Sequence, residues 1–292
     1  MARQVVGLGL SVLDHLMVVD DFGLEGQRIR YRESLFVAGG MVGTALAQAA
    51  QLGCRAQVLS MVGGDPAGRR VARERRGFGV STRRLLYSDR FPTTPAVVLV
   101  EHGTGERRFI VPDRRAFERS APDFDLRGIG AGSVLLVDGH FPAQAMRALR
   151  RAREYGATVV ADFSDARPAH LRMLPHVDYP IVSLEFVESW GMNGPRDALE
   201  ALREHSGGGT PVVTLGERGA VVLERGRVRR VAPRRVRVRD TTGAGDVFHG
   251  AFAAGLCQGR DLRDALALAT HAAALSCTAL GGTGRLLTPQ KR

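Results

Sequence analysis

The chain of 292 residues is long for one small domain and short for two large ones. Its 44% apolar and 24% charged content is ordinary for a soluble globular protein and excludes the disordered and fibrous classes. The formal charge is +11, yet Lys291 is the only lysine, so Schiff-base chemistry and the GxxxxGKS/T phosphate loop are both excluded. No apolar run reaches the roughly 18–20 residues of a membrane span. Cys54, Cys257 and Cys277 are widely spaced, which argues against a disulfide framework and indicates a reducing cytoplasm.

Short apolar runs alternate with helix-length segments along the chain. Residues 5–13 (VVGLGLSVL) are predicted as the first strand, and a helix pattern follows from Met41 to Leu52. Further strands are predicted at 57–62, 133–139, 158–163, 180–184 and 211–216, with helical sequence between them. Because these runs are almost wholly apolar, the pattern predicts a parallel sheet that is covered by helices on both faces. No linker or repeat divides the chain, so residues 1–292 are expected to form one domain.

Two segments interrupt the alternation of strands and helices. Residues 16–37 and 94–111 are predicted as strands joined by glycine-containing turns, and HGTGE within the second segment is a hairpin signal. Pairing of the two segments would form a small sheet over the carboxyl ends of the main strands, where it would act as a lid. The apolar side of VVLV (97–100) would then need cover, which a homodimer with its lids packed together would supply.

The densest basic stretch runs from Arg225 to Arg239. Within it, RVRVRD (235–240) alternates arginine with valine, which is typical of a half-buried strand with a solvated basic face. No aromatic residues for base stacking and no zinc-finger signature accompany the stretch. We therefore expect no nucleic-acid partner.

The strongest chemical signal is DTTGAGDVFHGAFAAGL, from Asp240 to Leu256. A predicted strand enters a glycine-rich turn and then a helix of small residues, which leaves the N–H groups of Gly243, Ala244, Gly245 and Asp246 unpaired at a helix N-terminus. Such a turn binds anions without a lysine. A carboxylate would repel a phosphate there, but Asp246 would be useful as a general base for an attacking hydroxyl. The alternative is that Asp246 is only a favourable acid at the start of a helix.

This motif resembles, position by position, the C-terminal signature of the PfkB family of carbohydrate kinases, also called ribokinase-like. GGMVGTALAQAAQLG (39–53) and SMVGGDPAG (60–68) resemble the first signature of that family. VTLGERGAVV (213–222) and CTALGGTG (277–284) resemble its nucleotide-binding turn and its closing loop. The resemblance covers essentially the whole chain and is closest in pattern to the ketohexokinase and sulfofructose kinase branch.

The resemblance implies a three-layer α/β/α ribokinase-like fold with a mostly parallel central sheet and a small β-sheet lid. It implies transfer of the γ-phosphate of ATP to a hydroxymethyl group, with Asp246 as general base and the amides of 243–246 as the anion hole. Mg²⁺ would arrive with ATP, no metal ligand is assigned to the protein, and a K⁺-like cation would lie near Asp240, Thr242 and the 277–284 loop. The substrate residues it implies are Asp14, Gly39, Gly40 and Thr44, and the nucleotide residues are Thr214, Gly216, Gly219 and Thr270.

Two departures from the family pattern concern the acceptor. Thr44 stands where the family commonly carries an asparagine, which makes the pocket less polar than that of a ribose or fructose kinase. Four arginines near the second lid segment, Arg107, Arg108, Arg114 and Arg115, would either meet an anionic acceptor group or be solvated. A ketose or modified sugar is favoured as the small-molecule substrate. The alternatives are a nucleoside or phosphosugar kinase and a catalytically silent nucleotide sensor, although a sensor would have no need of Asp246.

Overall fold

The computed structural model describes residues 3–22 and 28–289, and these residues form two separate β-sheets. Apolar runs supply most of the strands, as the sequence predicted. The strands are β1 (Gln4–Leu8), β2 (Val12–Val19), β3 (Tyr31–Gly39), β4 (Arg55–Gly63), β5 (Val80–Ser81), β6 (Leu85–Ser88), β7 (Pro95–Glu101), β8 (Arg107–Ile110), β9 (Ser133–Val137), β10 (Thr158–Phe163), β11 (Tyr179–Ser183), β12 (Val212–Thr214), β13 (Ala220–Glu224) and β14 (Arg227–Val231).

The larger sheet is mostly parallel. Its strand order is β14-β13-β12-β11-β10-β9-β1-β4-β5, and β6 pairs with the far end of β4. All pairs from β12 to β5 are parallel, whereas β13 and β14 extend the sheet as antiparallel strands. The carboxyl ends of the parallel strands therefore lie along one edge, where such sheets bind ligands.

Helices cover both faces of the larger sheet. Each face of the sheet has its own hydrophobic core, and side chains of one strand alternate between the two. On β9, Val134 packs in the core on one face, called the first core, and Leu135 packs in the second core on the other face. Helices α1, α2, α8 and α9 contribute to the first core, and α4, α5, α6 and α7 to the second. None of the helices in the described segments has the length and apolarity of a membrane span. The helices are α1 (Met41–Gln51), α2 (Pro66–Gly77), α3 (Arg115–Ser120), α4 (Pro142–Tyr155), α5 (Pro168–Met173), α6 (Leu184–Ser189), α7 (Pro195–His205), α8 (Ala244–Cys257) and α9 (Leu262–Ser276).

The second sheet has four strands in the order β3-β2-β7-β8. Strand β2 pairs antiparallel with β3 and parallel with β7, so residues from both predicted segments, 16–37 and 94–111, meet in one sheet. Residues 23–27 of the first segment lie outside the described residues. Leu16, Val98 and Val100 form the buried core on one face of this small sheet. A separate small sheet beside a mostly parallel one confirms the fold class expected from the sequence.

Two strand predictions are wrong. The run 5–13 is not one strand, because β1 ends at Leu8 and β2 begins at Val12 in the other sheet. A Cβ on Gly9 would lie 2.2 Å from the Asp138 carboxylate, so the chain can pass Asp138 at this break only with glycine. The alternating segment RVRVRD is not a strand either, since residues 232–239 are exposed and pair with no strand among the described residues. The strand of this basic region is β14.

Helix α8 lies between α1 and α9, and almost every residue after its first turn is buried. Gly250 allows the close approach to α1, because a Cβ at this position would lie 2.0 Å from the carbonyl oxygen of Ala45. Glycine normally weakens a helix interior by about 1 kcal/mol relative to alanine. The close contact with α1 therefore outweighs the intrinsic preference for alanine at residue 250.

We predict that Gly250→Ala lowers the free energy of unfolding by about 1–3 kcal/mol, because the added methyl group overpacks the α1–α8 contact. Gly77→Ala is the matched control, since no heavy atom lies within 4 Å of the Cβ position at the end of α2. This control should stabilise the protein by about 0.4–1 kcal/mol. Urea unfolding of the two variants measures both effects, and a stabilised Gly250→Ala protein would contradict the prediction.

Candidate active site

Asp240 fixes the glycine-rich turn that precedes α8. Its carboxylate is 1% exposed and accepts hydrogen bonds from the backbone N–H of Thr242 at 2.7 Å and of Gly281 at 2.7 Å. One side chain therefore joins the turn before α8 to the loop that follows α9. A buried carboxylate that accepts two backbone bonds is well satisfied, so the junction is a firm one.

Gly243 caps α8 with a left-handed backbone, at a φ of 70°. A Cβ on Gly243 would lie 2.6 Å from the Cα of Gly282, so backbone conformation and close packing both require glycine. Within the described residues, the N–H groups of Gly243, Gly245 and Asp246 have no partner, whereas Ala244 donates to Thr241 O at 3.3 Å. The sequence predicted four unpaired amides, and the structure has three. The start of α8 retains the character of an anion site.

Asp246 is the third residue of α8 and is half-buried. Burial raises its pKa to about 7, with a further increase from the nearby carboxylate of Asp162. His249 lies one turn along the helix and opposes this shift, with its Nδ1 atom 2.7 Å from Gly245 O and 3.2 Å from Asp162 Oδ2. The carboxyl of Asp246 therefore changes protonation near neutral pH, as a general base should.

Asp14 directly follows the run 5–13, which the sequence predicts as one strand, and the structure places it within β2 of the small sheet. The side chain is 9% exposed, and burial raises its pKa to about 7 against the opposing charge of Arg75. The nearby carboxylate of Asp246 raises the pKa further, so the structure brings the two aspartates into one site. The Asp14 carboxylate has no hydrogen-bond partner among the described residues.

Gly39 and Gly40 lie directly against Asp14 and the turn after β1. A Cβ on Gly39 would lie 1.7 Å from Asp14 Oδ2, and one on Gly40 would lie 2.5 Å from Leu10 O. Gly40 also has a φ of 95° and caps α1. Gly40 therefore requires glycine, and a side chain at Gly39 would displace the Asp14 carboxylate. The backbone of the two residues forms a floor beside that carboxylate.

Thr44 lies in the first turn of α1 and is 3% exposed. A Cβ on Gly282 would lie 2.9 Å from its methyl group, and one on Gly243 would lie 3.4 Å from it. The methyl group of Thr44 therefore packs against the contact between the two loops that Asp240 joins.

Three of the four nucleotide residues expected from the sequence lie at the carboxyl end of β12 and in the turn that follows it, on the same edge of the larger sheet. Thr214 ends β12, and its hydroxyl donates to Val182 O at 3.3 Å. Gly216 and Gly219 follow in the turn to β13 with positive φ, and a Cβ on Gly219 would lie 2.2 Å from Val231 O. Strand β12 is three strand spacings from β9, or about 14 Å. Thr270 is buried in α9, where its hydroxyl donates to Leu266 O at 2.8 Å.

Sequence reasoning missed two carboxylates beside Asp246. Asp138 follows β9, is 1% exposed, and accepts from Leu10 N at 2.8 Å and His140 N at 3.0 Å. Asp162 lies near the end of β10, and burial raises its pKa well above the usual value. Each lies at the end of an apolar run, and this position is the feature of the sequence that could have identified them as residues at the carboxyl edge of the sheet.

The sequence also gave no sign that Arg75 is buried. It belongs to the charged helix α2, yet it is 0% exposed and donates to Gly39 O at 2.7 Å. Burial lowers its pKa to about 10, while Asp14 opposes that shift. Arg75 thus supplies a positive charge beneath the glycine floor.

The small sheet contacts the glycine-rich turn directly. Arg107 of β8 donates to the Thr241 hydroxyl at 2.9 Å, and Thr241 donates from its backbone to Gly105 O at 3.1 Å. At the opposite edge of the sheet, Arg239 forms an ion pair with Glu33 of the edge strand β3 at 2.8 Å. Both ends of the small sheet therefore hold the segment that leads into α8.

The described residues contain no group of three or more His, Cys, Asp or Glu side chains placed to hold a metal ion. The Thr242 hydroxyl is nevertheless buried without a hydrogen-bond partner, next to the Asp240 carboxylate. An oxygen of this kind suits a weakly bound monovalent cation.

Comparison with known proteins places this arrangement in a family context. The family model described as "pfkB family carbohydrate kinase" matches residues 2–289. Ketohexokinase of Mus musculus is 24% identical, and the alignment covers 97% of this chain and 98% of that protein. 2-Dehydro-3-deoxygalactonokinase of Haloferax volcanii is 30% identical, with coverage of 91% and 90%.

Solved structures show the same fold. The ribokinase of Thermotoga maritima matches with a TM-score of 0.79 and 23% identity, over 98% of this chain and 96% of that one. The family resemblance and the ribokinase-like fold inferred from the sequence are therefore confirmed.

We predict that Asp246→Asn stabilises the protein at pH 8 and that this gain disappears toward pH 4. The folded-state pKa of about 7 lies above the usual aspartate value of 3.8, so the wild type loses stability as the pH rises between these values. Asparagine cannot ionise and avoids that loss. Urea unfolding at pH 5, 6, 7 and 8 measures the difference between variant and wild type.

Asp113→Asn serves as the control, because Arg115 lowers the pKa of Asp113 to about 2. A lowered pKa has the opposite effect on stability, because the ionised Asp113 carboxylate stabilises the folded state at pH values above the unfolded-state pKa. Replacing this carboxylate with an amide should therefore not increase the free energy of unfolding at pH 8. An Asp246→Asn protein that is destabilised equally at every pH would contradict the raised pKa.

Proposed function

This chain belongs to the PfkB family of carbohydrate kinases, and on that premise we propose that it transfers the γ-phosphate of ATP to a hydroxymethyl group of a sugar or sugar-like acceptor. The observation that carries the proposal is the start of α8, where the Asp246 carboxyl lies beside three backbone amides without partners in the described part of the chain. A base and an anion site at one helix end suit phosphoryl transfer to an alcohol.

Asp246 acts as the general base. With a pKa raised to about 7, its carboxylate accepts a proton from the acceptor hydroxyl more readily than an ordinary aspartate would. The proton leaves the hydroxyl as its oxygen attacks the γ-phosphorus, and the bond to the ADP leaving group breaks. His249 and Asp162 lie next to Asp246 and set the charge around it.

The amides of Gly243, Gly245 and Asp246 stabilise the charge that develops on the transferred phosphoryl group. They suit this task because the helix dipole adds to their positive ends, and because the chain has no internal lysine to offer instead. Ala244 shares its N–H with Thr241 O, so it contributes less. Arg107, which is bound to Thr241, adds a positive charge close to Asp246.

ATP lies along the carboxyl edge of the larger sheet. Thr214, Gly216 and Gly219 border the nucleotide, and Thr270 lies near the adenine. Along this edge the strand end before Asp138 (β9) and the strand end at Thr214 (β12) are three strand spacings, or about 14 Å, apart. Mg²⁺ arrives with the phosphates, and a monovalent cation binds near Thr242, whose buried hydroxyl lacks a partner among the described residues.

The acceptor lies on the glycine floor beside the small sheet. The Asp14 carboxylate accepts hydrogen bonds from its hydroxyls, and Gly39 and Gly40 allow it to approach the backbone closely. Thr44 supports this floor from below, where its methyl group packs against the turn. The small sheet acts as the lid that excludes water from the reacting phosphate.

A panel of acceptors with ATP and Mg²⁺, read by release of ADP, tests the proposal. The panel contains neutral sugars, sugar acids, phosphosugars, sulfosugars and nucleosides. We expect at least one sugar-like acceptor to release ADP in proportion to acceptor phosphorylated. Binding of ATP without turnover on any acceptor would support a nucleotide sensor and overturn the proposal.

We predict that Asp246→Asn lowers kcat by about 10²–10⁴-fold, because general-base assistance is typically worth that much. Nucleotide affinity should stay equal or rise slightly, since a negative charge beside the γ-phosphate is removed. Steady-state kinetics and ATP titration measure the two effects. Loss of ATP binding with the turnover of the bound complex preserved would show that Asp246 is structural.

Asp264→Asn is the matched control for that substitution. Asp264 is the third residue of α9, as Asp246 is of α8, and it lies exposed at a helix N-terminus. If Asp246 were only a favourable acid at the start of a helix, the two variants would have similar effects. We expect Asp264→Asn to leave kcat within about twofold of the wild type.

We also propose a homodimer in which two small sheets pack together. The register places His15, Phe36, Val97 and Ile110 side by side on the face opposite the buried core of the small sheet. Phe36 is 46% exposed and Ile110 is 62% exposed, so a second copy would cover apolar surface.

Ile110→Glu should therefore shift the protein toward monomer in sedimentation experiments, because the new charge would be buried between the sheets. Val228→Glu, at an exposed position on β14 of the larger sheet, should leave the oligomeric state unchanged. A wild-type protein that sediments as a monomer at tens of micromolar, with and without ligand, would contradict the dimer.

A further inference from the structure

Arg114 is a partly buried cation without an ion-pair partner among the described residues. It lies at the start of α3, immediately after the β7–β8 hairpin of the small sheet, and its side chain is half-buried. The Nε atom is shielded from solvent and makes no hydrogen bond within the described segments. Burial accordingly lowers the pKa of Arg114.

The three other arginines of this region have partners. Arg107 donates to the Thr241 hydroxyl at 2.9 Å, and Arg108 lies 4.7 Å from the centre of the Phe22 ring. Arg115 makes a two-pronged pair with Asp113, with its shortest contact at 2.6 Å. Arg114 is thus the member of the set whose charge has no partner in the part of the chain that the structure describes.

The acids near Arg114 are bound to other groups. Glu118 and Asp138 both act on its charge, yet Glu118 accepts from His140 Nδ1 at 2.7 Å and Asp138 accepts from backbone amides. Asp14 also acts on Arg114, and its carboxylate is likewise without a hydrogen-bond partner in the described part of the chain.

Contacts on α3 and β9 show where Arg114 lies. Glu118, one turn along α3, bonds to His140, whose backbone N–H donates to Asp138 after β9. Asp138 also accepts from Leu10 N, and Leu10 O lies against Gly40 of the glycine floor. The start of α3 is therefore on the side of the site that holds the floor, and Arg114 makes no ion pair with Asp14 within the described residues.

A cation in this position is costly to keep unpaired in a partly dry site. A neutral sugar would satisfy Asp14 with its hydroxyls but would leave the Arg114 guanidinium without an ion-pair partner and its buried Nε atom without a hydrogen bond. A planar guanidinium binds an oxyanion with two parallel hydrogen bonds, which is the strongest interaction it makes. A ligand with hydroxyls at one end and an oxyanion at the other would satisfy both groups.

We propose that the acceptor is a sugar derivative that carries one oxyanionic group, which Arg114 binds while Asp14 binds the hydroxyls. This inference rests on the proposed kinase function. The shared chemistry is a carboxylate, a sulfonate or a phosphate on the carbon chain of the sugar. Arg114 is therefore the residue that selects anionic over neutral acceptors.

The test compares acceptors that differ only in that group. D-Fructose and 2-keto-D-gluconate share their carbon skeleton and differ at C1, which is a hydroxymethyl group in one and a carboxylate in the other. Fructose 1-phosphate, fructose 6-phosphate and 6-deoxy-6-sulfofructose provide the phosphate and sulfonate arms. We expect kcat/KM for at least one anionic member to exceed that for fructose by about 10–100-fold, the range of one charge-assisted hydrogen-bonded contact.

Arg114→Met should remove this preference. It should lower kcat/KM for the preferred anionic acceptor by about 10–100-fold, mainly through KM, and change the value for fructose by less than about twofold. Arg114→Lys keeps the charge but loses the planar guanidinium with its two parallel donors. Its kcat/KM for the anionic acceptor should lie between the values for the wild type and Arg114→Met. Arg115→Met is the matched control and should match the wild type, because Arg115 is exposed and paired with Asp113.

Calorimetric titration of the same acceptors in the absence of ATP provides a readout besides turnover, and thermal unfolding confirms that each variant is folded. Phosphorylation of fructose as efficiently as of every anionic acceptor, or an unchanged preference in folded Arg114→Met, would overturn this inference and leave the kinase function standing. Absence of turnover on every acceptor of the full panel would instead overturn the kinase function.

Discussion

The two hydrogen bonds that the Asp240 carboxylate accepts are the constraint on which the site depends. They hold the turn before α8 against the loop after α9, and they bring Gly243 so close to Gly282 that neither could carry a side chain without strain. The left-handed conformation of Gly243 then aims the first amides of α8 outward. This junction fixes the turn from which α8 begins, and packing between α1 and α9 fixes the rest of the helix that carries Asp246.

A second constraint is the balance of charge around that turn. The Asp246 carboxylate interacts with those of Asp14, Asp138 and Asp162, and burial raises the pKa of Asp14, Asp162 and Asp246. Arg75 opposes the effect from beneath the glycine floor. The same low-dielectric surroundings that make Asp246 a better base also make an unpaired arginine expensive. In the proposed function, the strength of Asp246 as a base and the selection of the acceptor by Arg114 would therefore have one physical origin.

The glycine-rich turn and the layer architecture could be predicted from the sequence because both depend on local patterns. The glycines of DTTGAGD indicate the geometry of the turn, because positive φ and close backbone contact require glycine. The run 5–13 was misassigned because its break at Gly9 lies against Asp138, which is far away along the chain. No local pattern reports such a contact. For the same reason RVRVRD was taken for a strand, although no neighbouring strand of the described residues is placed to pair with it.

The charged residues of the site also depend on contacts between distant parts of the chain, which local sequence patterns do not show. Arg75 occurs in RRVARERRG, where every arginine resembles a solvated one, and only the packing of α2 beneath β3 and α1 buries this one. The sequence shows that Asp138 and Asp162 lie at the ends of apolar runs. Their proximity to Asp246 depends on strand order, which the local sequence does not show. The sequence pattern assigns Asp14 to the wrong sheet, because β1 and β2 are separated by only three residues.

The central claim is that Asp246 is the base of a phosphoryl transfer, and the pH dependence of kcat/KM tests it most directly. With a pKa of about 7 in the free protein, the wild-type rate should rise with pH through an inflection near 7 and then level off. The Asp14 carboxyl also has a pKa raised to about 7 and is proposed to bind the acceptor, so kcat at saturating acceptor separates the two groups. The wild-type kcat should keep the inflection and the residual kcat of Asp246→Asn should lack it. A wild-type rate that is flat from pH 5 to pH 9, or the same inflection in the kcat of Asp246→Asn, would contradict the account.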